Sequence, residues 1–347
     1  MDKKINHGLL LACLLASFSS AFNARSYDPL IGGIAASASV ELLTASGLLT
    51  RFMWGYALGQ IIAIFSPARY RRHSLAVCSA LAAVLVLATA LVPISQMLTL
   101  RWLSGFFVGP LIPLAMALIG DHTAVSLRTR VMTQFMAGQA LGITLSVPLA
   151  VLLMHWGDVR WAQMSGAVPL LLCAALMLGG MPAAAQRGTD RGPSVHKDRP
   201  ALKRMVPLYG IVMIEGAAVF GLLATAPLLM PQVPAYLPGL IFGSVGLLFI
   251  SLVSYVGRGF KHGAGLGALM LLLAVFLALA GGPLSVGAFF LLALGYYNLH
   301  PSLQSRATQL SNYYRGATTA LLAVCFFIGQ GIGTWLLVKL LTAGWAW

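Results

Sequence analysis

Eleven apolar runs separated by short polar or basic breaks dominate the chain. They fall near 6–29, 42–65, 74–93, 97–120, 131–154, 161–181, 206–230, 237–257, 264–281, 284–304 and 316–340. Each is close to the ~20 residues that a helix needs to cross the hydrocarbon of a bilayer. None alternates between apolar and polar positions as a strand of a membrane barrel does. The predicted fold class is therefore an all-α polytopic membrane protein with about 11 transmembrane helices. Composition agrees: 59% of the 347 residues are hydrophobic and 9% charged, where a soluble domain carries roughly 25% charged residues.

The start of the chain has two readings. Lys3-Lys4 followed by an apolar run ending Ala21-Phe22-Asn23-Ala24 imitates a secretory signal peptide. Leu10-Leu11-Ala12-Cys13 imitates a lipoprotein cleavage box, with too few apolar residues before it. A first membrane helix fits better with the crossings that follow.

The formal net charge of +14 invites a nucleic-acid reading, but the 22 Lys and Arg lie in short clusters between apolar runs. That distribution fixes membrane orientation, so no nucleic-acid partner is expected. With the N-terminus cytoplasmic, 17 of the 22 fall on the inner side, leaving Arg25, Arg51, Arg101, Arg160 and Lys339 elsewhere. Residues 184–204 form the long polar segment, with six basic and two acidic residues. They read as a cytoplasmic linker between an N-terminal six-helix bundle (1–183) and a C-terminal five-helix bundle (205–347). Cys13, Cys78, Cys173 and Cys325 are far apart in apolar runs, so they read as packing residues, not metal ligands.

The two bundles look like pseudo-repeats. Arg128, Gly142 and Gly157 recur as Arg315, Gly329 and Gly344 at a shift of 187, while Gly138-Gln139 and Gly329-Gln330 match at 191. In the first register Trp347 corresponds to Arg160, so the partner of helix 6 is expected to be missing.

Local motifs point to a family. Arg25-x-x-Asp28-Pro29-Leu30-Ile31 resembles the R-x-x-D-P-L-L-P of some bacterial exporters, and Arg101-Trp-Leu-Ser-Gly105 resembles an R-x-x-x-G motif opening helix 4. Gly120-Asp121 with Arg128, and Gly157 to Trp161, are similar to the motifs closing helix 4 and preceding helix 6. With the basic linker, the chain resembles the major facilitator superfamily of secondary transporters. The loop after helix 2 keeps Arg69, Arg71 and Arg72 but lacks the family's glycine and aspartate. The helix 5 signature of antiporters is incomplete, and the family's peripheral twelfth helix is expected to be missing.

Ionisable residues inside hydrocarbon cost roughly 2.5–3.5 kcal/mol on insertion scales, so each needs a reason. Arg25 and Asp28, three apart, share a helical face. Asp28 is read as a proton-coupling residue answering to Arg25 and to substrate, with a water-exposed ion pair as the alternative. The resemblance implies that Arg101 tunes proton coupling. Arg25 and Arg101 also suit contacts with an anionic substrate, while Arg51 reads as snorkelling.

Glu215 lies about nine residues into helix 7, ~14 Å deep, with no basic residue on its own helix. It is the second proton-coupling candidate or a contact for a cationic drug; the alternative is a protonated acid hydrogen-bonded between helices. Tyr296, Asn298 and His300 precede the kinking Pro301 and are candidate substrate or coupling contacts, with a structural interhelical hydrogen bond the favoured role of His300. Arg69, Arg71, Arg72 and Asp121 form a candidate cytoplasmic gate loop. Gly329-x-Gly331-x-Gly333 and Gly138-x-x-x-Gly142 read as close helix contacts.

No Walker, H-E-x-x-H or G-x-S-x-G pattern occurs, so no catalytic residue, metal or cofactor is expected and the chain reads as a non-enzyme. The expected function is proton-coupled efflux of a small molecule across the bacterial inner membrane by alternating access. The partners expected are substrate, protons and the lipid bilayer, with the protein acting as a monomer. The alternative is a non-transporting or decayed relative.

Overall fold

Prolines and glycines set where the long helices break. The computed structural model describes residues 7–123, 125–179, 202–256, 263–280, 285–310 and 315–343. The first rod joins α1 (His7–Arg25), a 3-10 turn over Asp28–Leu30 and α2 (Ile31–Ala38). Pro29 sits inside that turn, and Ser39 ends α2 at a left-handed φ of 51°. The expected end near residue 29 is thus corrected: Asp28 lies within a rod that runs on to Ala38, because Pro29 tightens the helix without ending it.

The second rod is α3 (Leu42–Phe65) and the third α4 (Arg71–Thr89). Gly109-Pro110 divides the fourth into α5 (Ile94–Val108) and α6 (Leu111–His122). The fifth is α7 (Val125–Trp156), and Gly166 separates the sixth into α8 (Val159–Met164) and α9 (Ala167–Leu178). The remaining rods are α10 (Leu202–Leu229), α11 (Leu237–Val256), α12 (Gly263–Ala280), α13 (Ser285–Gln309) and α14 (Arg315–Thr342). Among the described residues there are thus eleven rods and no strand. Residues 184–201, most of the expected linker, lie outside the described residues.

Among the described residues, seven rods are long and apolar enough to cross a membrane by length and composition. Two shorter apolar stretches fall in α11 and α12. The other two rods, α3 and α13, carry polar side chains among their apolar ones, including Arg51, Gln60, Asn298 and His300. Burial is inverted relative to a soluble protein: Arg25, Asp28, Arg101, Glu215 and Gln330 are buried, while Val84, Leu172, Leu248 and Phe276 stand on the surface. Lipid solvates apolar side chains, so polar groups gather where helices meet.

One buried cluster is built from α1, α3–α7 and α9, and a second from α10–α14 with Ala21 and Ile143 added. A third closes one end of the molecule, where Tyr27, Leu30, Ile31 and Leu48 pack with Ala162 and with Ala224 of α10. Arg71 and Asp121 mark the opposite end. Elsewhere α3 meets α14, where Phe327 lies against Tyr56 at 4.1 Å between centroids. Thr50 Oγ1 also donates to the Gly331 carbonyl at 3.5 Å. α7 meets α11 where Gly243 leaves room for Thr144.

The repeat is visible in this packing. Gly138 and Gly142 of α7 face the carbonyls of Leu14 and Phe18 on α1; Gly329 and Gly333 of α14 face those of Met213 and Ala217 on α10. Ser17 Oγ donates to the Phe135 carbonyl, and Gly216 faces the Phe326 carbonyl. All three pairs relate the halves by 191 residues on α7/α14 and 199 on α1/α10. The shift of 187, and the pairing of Trp347 with Arg160 drawn from it, are therefore replaced by 191.

Candidate functional site

Two buried polar clusters meet between the halves. The first forms where Pro29 breaks the first rod. α1 ends at Arg25, and the 3-10 turn brings Asp28 back beneath it, so Arg25 Nη1 lies 3.3 Å from Asp28 Oδ2. Both side chains are almost wholly buried, so the water-exposed ion pair considered from sequence is not what forms. The same Nη1 donates to the Phe220 carbonyl of α10 at 3.4 Å, and the guanidinium stacks on the Phe220 ring at 4.2 Å. Arg25 therefore touches both halves.

Arg101 lies on the other side of Tyr27. Its guanidinium is sandwiched between the Tyr27 and Phe52 rings at 3.8 and 4.1 Å, and Nη2 donates to the Asn23 carbonyl at 3.4 Å. Asn23 in turn ties α1 to the α8–α9 break by donating to the Gly166 carbonyl at 3.1 Å. Asp28 Oδ1, the Tyr27 hydroxyl and Arg101 Nε and Nη1 have no hydrogen-bond partner among the described residues. One carboxylate oxygen is thus left open beside two buried guanidinium groups. Arg51 stands exposed on α3, apart from this cluster.

The second cluster pairs residues from two helices. The cations of its own helix, Lys203 and Arg204, lie about three turns away, and α13 supplies the near partner: His300 Nδ1 lies 2.9 Å from Glu215 Oε2. The structure thus makes the interhelical hydrogen bond expected of His300, and Glu215 is not alone. Pro301 follows within α13, and the imidazole stacks on Tyr296 at 5.0 Å and faces Phe326 at 4.8 Å. Glu215 Oε1 has no hydrogen-bond partner among the described residues. Phe220 packs against Tyr296, Phe242 and Phe326, each at 5.5–5.6 Å. Phe220 touches Arg25 on one side and Tyr296 on the other, which joins the two clusters. Asn298 turns back on its own helix, donating to the Leu294 carbonyl at 2.7 Å.

The gate-loop candidates gather at the opposite end. Arg71 Nη1 reaches Asp121 Oδ2 at 2.6 Å on a partly exposed surface. Arg72 Nε donates to the Met177 carbonyl at 2.7 Å, and Arg69 stacks on Tyr70. Sequence reasoning missed Phe220, Tyr27 and Phe52. Each carries a buried cation on its ring, and Tyr27 was signalled only by its place beside Asp28.

The fold is that of known transporters. Among solved structures similar to this chain is the inward-open proton:xylose symporter XylE from E. coli, with a TM-score of 0.77 and 16% identity over 94% of this chain and 88% of that one. A peptide transporter, POT, in complex with sulfate gives 0.73 and 14% over 95% and 88%. A bacterial homologue of the human lysosomal transporter Spinster gives 0.70 and 16% over 94% and 80%. No curated protein sequence matches. A profile described as Major Facilitator Superfamily matches residues 13–334, and with eleven apolar rods around buried charge the chain belongs to that superfamily of secondary transporters as a multi-pass membrane protein.

Proposed function

We propose that this protein is a proton-coupled exporter of a small molecule, working by alternating access in the bacterial inner membrane. Its N-terminus faces the cytoplasm and it acts as a monomer. Two bundles, 1–183 and 205–347, rock about a central site while the basic segment 184–204 joins them. The observation that carries this reading is Arg25, which is shared between Asp28 of its own half and Phe220 of the other. A proton on Asp28 removes the charge that holds Arg25, so the grip of the guanidinium on α10 changes with the protonation state. An ion gradient can bias two cavity orientations through such a difference. XylE, a proton:xylose symporter, shows that this fold accommodates proton coupling.

The test is flux in proteoliposomes under an imposed pH gradient, against cationic drugs, sugars, amino acids and organic anions. Wild-type protein runs beside Asp28→Asn and Glu215→Gln. Gradient-driven flux that loses its gradient dependence in Asp28→Asn supports the proposal. Flux indifferent to the gradient, or unchanged in both variants, overturns it.

A further inference from the structure

The aromatic wall of the second half is already occupied by a cation, and that cation belongs to the protein. Phe220 presents two things to the Arg25 guanidinium: a ring face at 4.2 Å and a backbone carbonyl at 3.4 Å. A planar cation with N–H donors satisfies both, the face by cation–π attraction and the carbonyl by donation. Behind Phe220 stand Tyr296, Phe242 and Phe326, and Tyr296 is backed by His300 and, through it, Glu215, whose Oε1 has no partner among the described residues. The wall is thus aromatic, fitted to a guanidinium at its face and carbonyl, with a carboxyl group behind it.

Arg25 is also able to leave. It meets Asp28 through Oδ2 at 3.3 Å, and Asp28 Oδ1 has no hydrogen-bond partner among the described residues. A guanidinium driven off Phe220 therefore has a second carboxylate oxygen to take, turning a single contact into a bidentate one. Phe220 belongs to α10 and Asp28 to the first half, so the exchange removes a contact between the halves at the end closed by Tyr27, Leu30 and Ala224.

We propose that the transported substrate carries a guanidinium or amidinium head, which displaces Arg25 from Phe220 and so unlatches the closed end. The proposal rests on the transporter reading and names its substrate class. Arg25 is the resident occupant of the substrate's own subsite. Its return to Phe220 expels the bound head and closes the latch again.

The experiment uses the full chain in lipid nanodiscs, with phenylguanidine as probe and phenylurea as its neutral counterpart of the same shape. Saturable binding of phenylguanidine to the wild type, with none of phenylurea, is expected. Arg25→Ala is expected to bind phenylguanidine at least tenfold tighter. In a Phe220→Leu background most of that gain disappears, because the ring being competed for is gone. Where Arg25→Ala does not fold, Arg25→Lys, which keeps the charge but not the plane, is expected to tighten binding as well. Binding to Arg25→Ala with none to the wild type would mean a vacated hole being refilled, and overturns the proposal. So does equal binding of phenylurea, or an affinity indifferent to Arg25. Flux separates the two readings. Phenylguanidine neither bound nor carried, while another solute moves with the gradient and depends on Asp28, refutes the substrate class alone. Phenylguanidine bound and carried without gradient dependence refutes the coupling alone.

Discussion

Gly105→Ala is the perturbation whose cost follows most directly from the packing. Gly55 and Gly59 on α3 face the carbonyls of Trp102 and Phe106, while Gly105 on α5 and Gly109 just past its end face those of Phe52 and Tyr56. Two pairs of glycines four apart thus let the backbones touch, the arrangement that drives helix association in lipid. A methyl group at Gly105 would lie well inside contact distance of the Phe52 carbonyl, so the helices must part by about an ångström, which over-packing data put at ~1–3 kcal/mol. Phe52 also lies over Arg101 at 4.1 Å. Lifting that ring adds part of the ~0.5–2 kcal/mol of a desolvated cation–π contact. We expect a total loss of about 2–4 kcal/mol. Gly210 on α10 is the control: nothing lies within 4 Å of a Cβ there, so Gly210→Ala should gain up to about 1 kcal/mol from helix propensity. Thermal unfolding in mild detergent, followed by tryptophan fluorescence, measures both. Equal midpoints for the two variants would refute the reasoning, since the carbonyl contact would then not limit the approach.

Two further predictions concern paired side chains. His300→Leu takes away the hydrogen bond to the buried Glu215 Oε2 and should cost about 1–3 kcal/mol, whereas the Glu215→Leu/His300→Leu double variant should cost less than the sum of the single ones. Additive losses in the same unfolding assay would show that the pair is not coupled. Arg71→Ala removes a partly exposed pair with Asp121 and should shift stability by no more than ~1 kcal/mol, less at high salt. A larger, salt-independent loss would count against its surface character.

The fold was legible because lipid enforces a simple grammar. Uninterrupted apolar runs of crossing length have few alternatives to a helix, and all eleven recur as rods. Breaks within rods were harder to read. Pro29, Pro110 and Gly166 each leave the apolar pattern intact, so their effect appears only in the backbone. Arg25 and Asp28 could be paired from sequence because they are three apart. Glu215 and His300 are 85 residues apart on different helices, and no spacing rule connects them. The repeat register was ambiguous because glycines are frequent enough to align at two shifts. Carbonyl contacts decided it, because a close approach of two helices fixes one residue against one residue.

That register also shows what the repeat does not share. At a shift of 199 the counterparts of Arg25 and Asp28 are Ala224 and Pro227, and the counterpart of Glu215 is the fully buried Ala16. The halves repeat their glycine scaffolding while their chemistry differs: an ion pair in one, an aromatic wall backed by the hydrogen-bonded Glu215 and His300 in the other. Disturbing one scaffold should then disturb one kind of chemistry. Gly142→Ala presses on Phe18 of α1, two turns before Arg25, and should chiefly blunt the dependence of flux on the pH gradient. Gly333→Ala presses on Ala217 of α10, three residues before Phe220, and should chiefly weaken phenylguanidine binding. About tenfold is expected in each case, since ~1.4 kcal/mol is within the usual cost of over-packing. Flux and binding measured on both variants decide the matter. Equal loss of both properties in both variants would mean that the halves move as one body, and a division of labour between them would have to be given up.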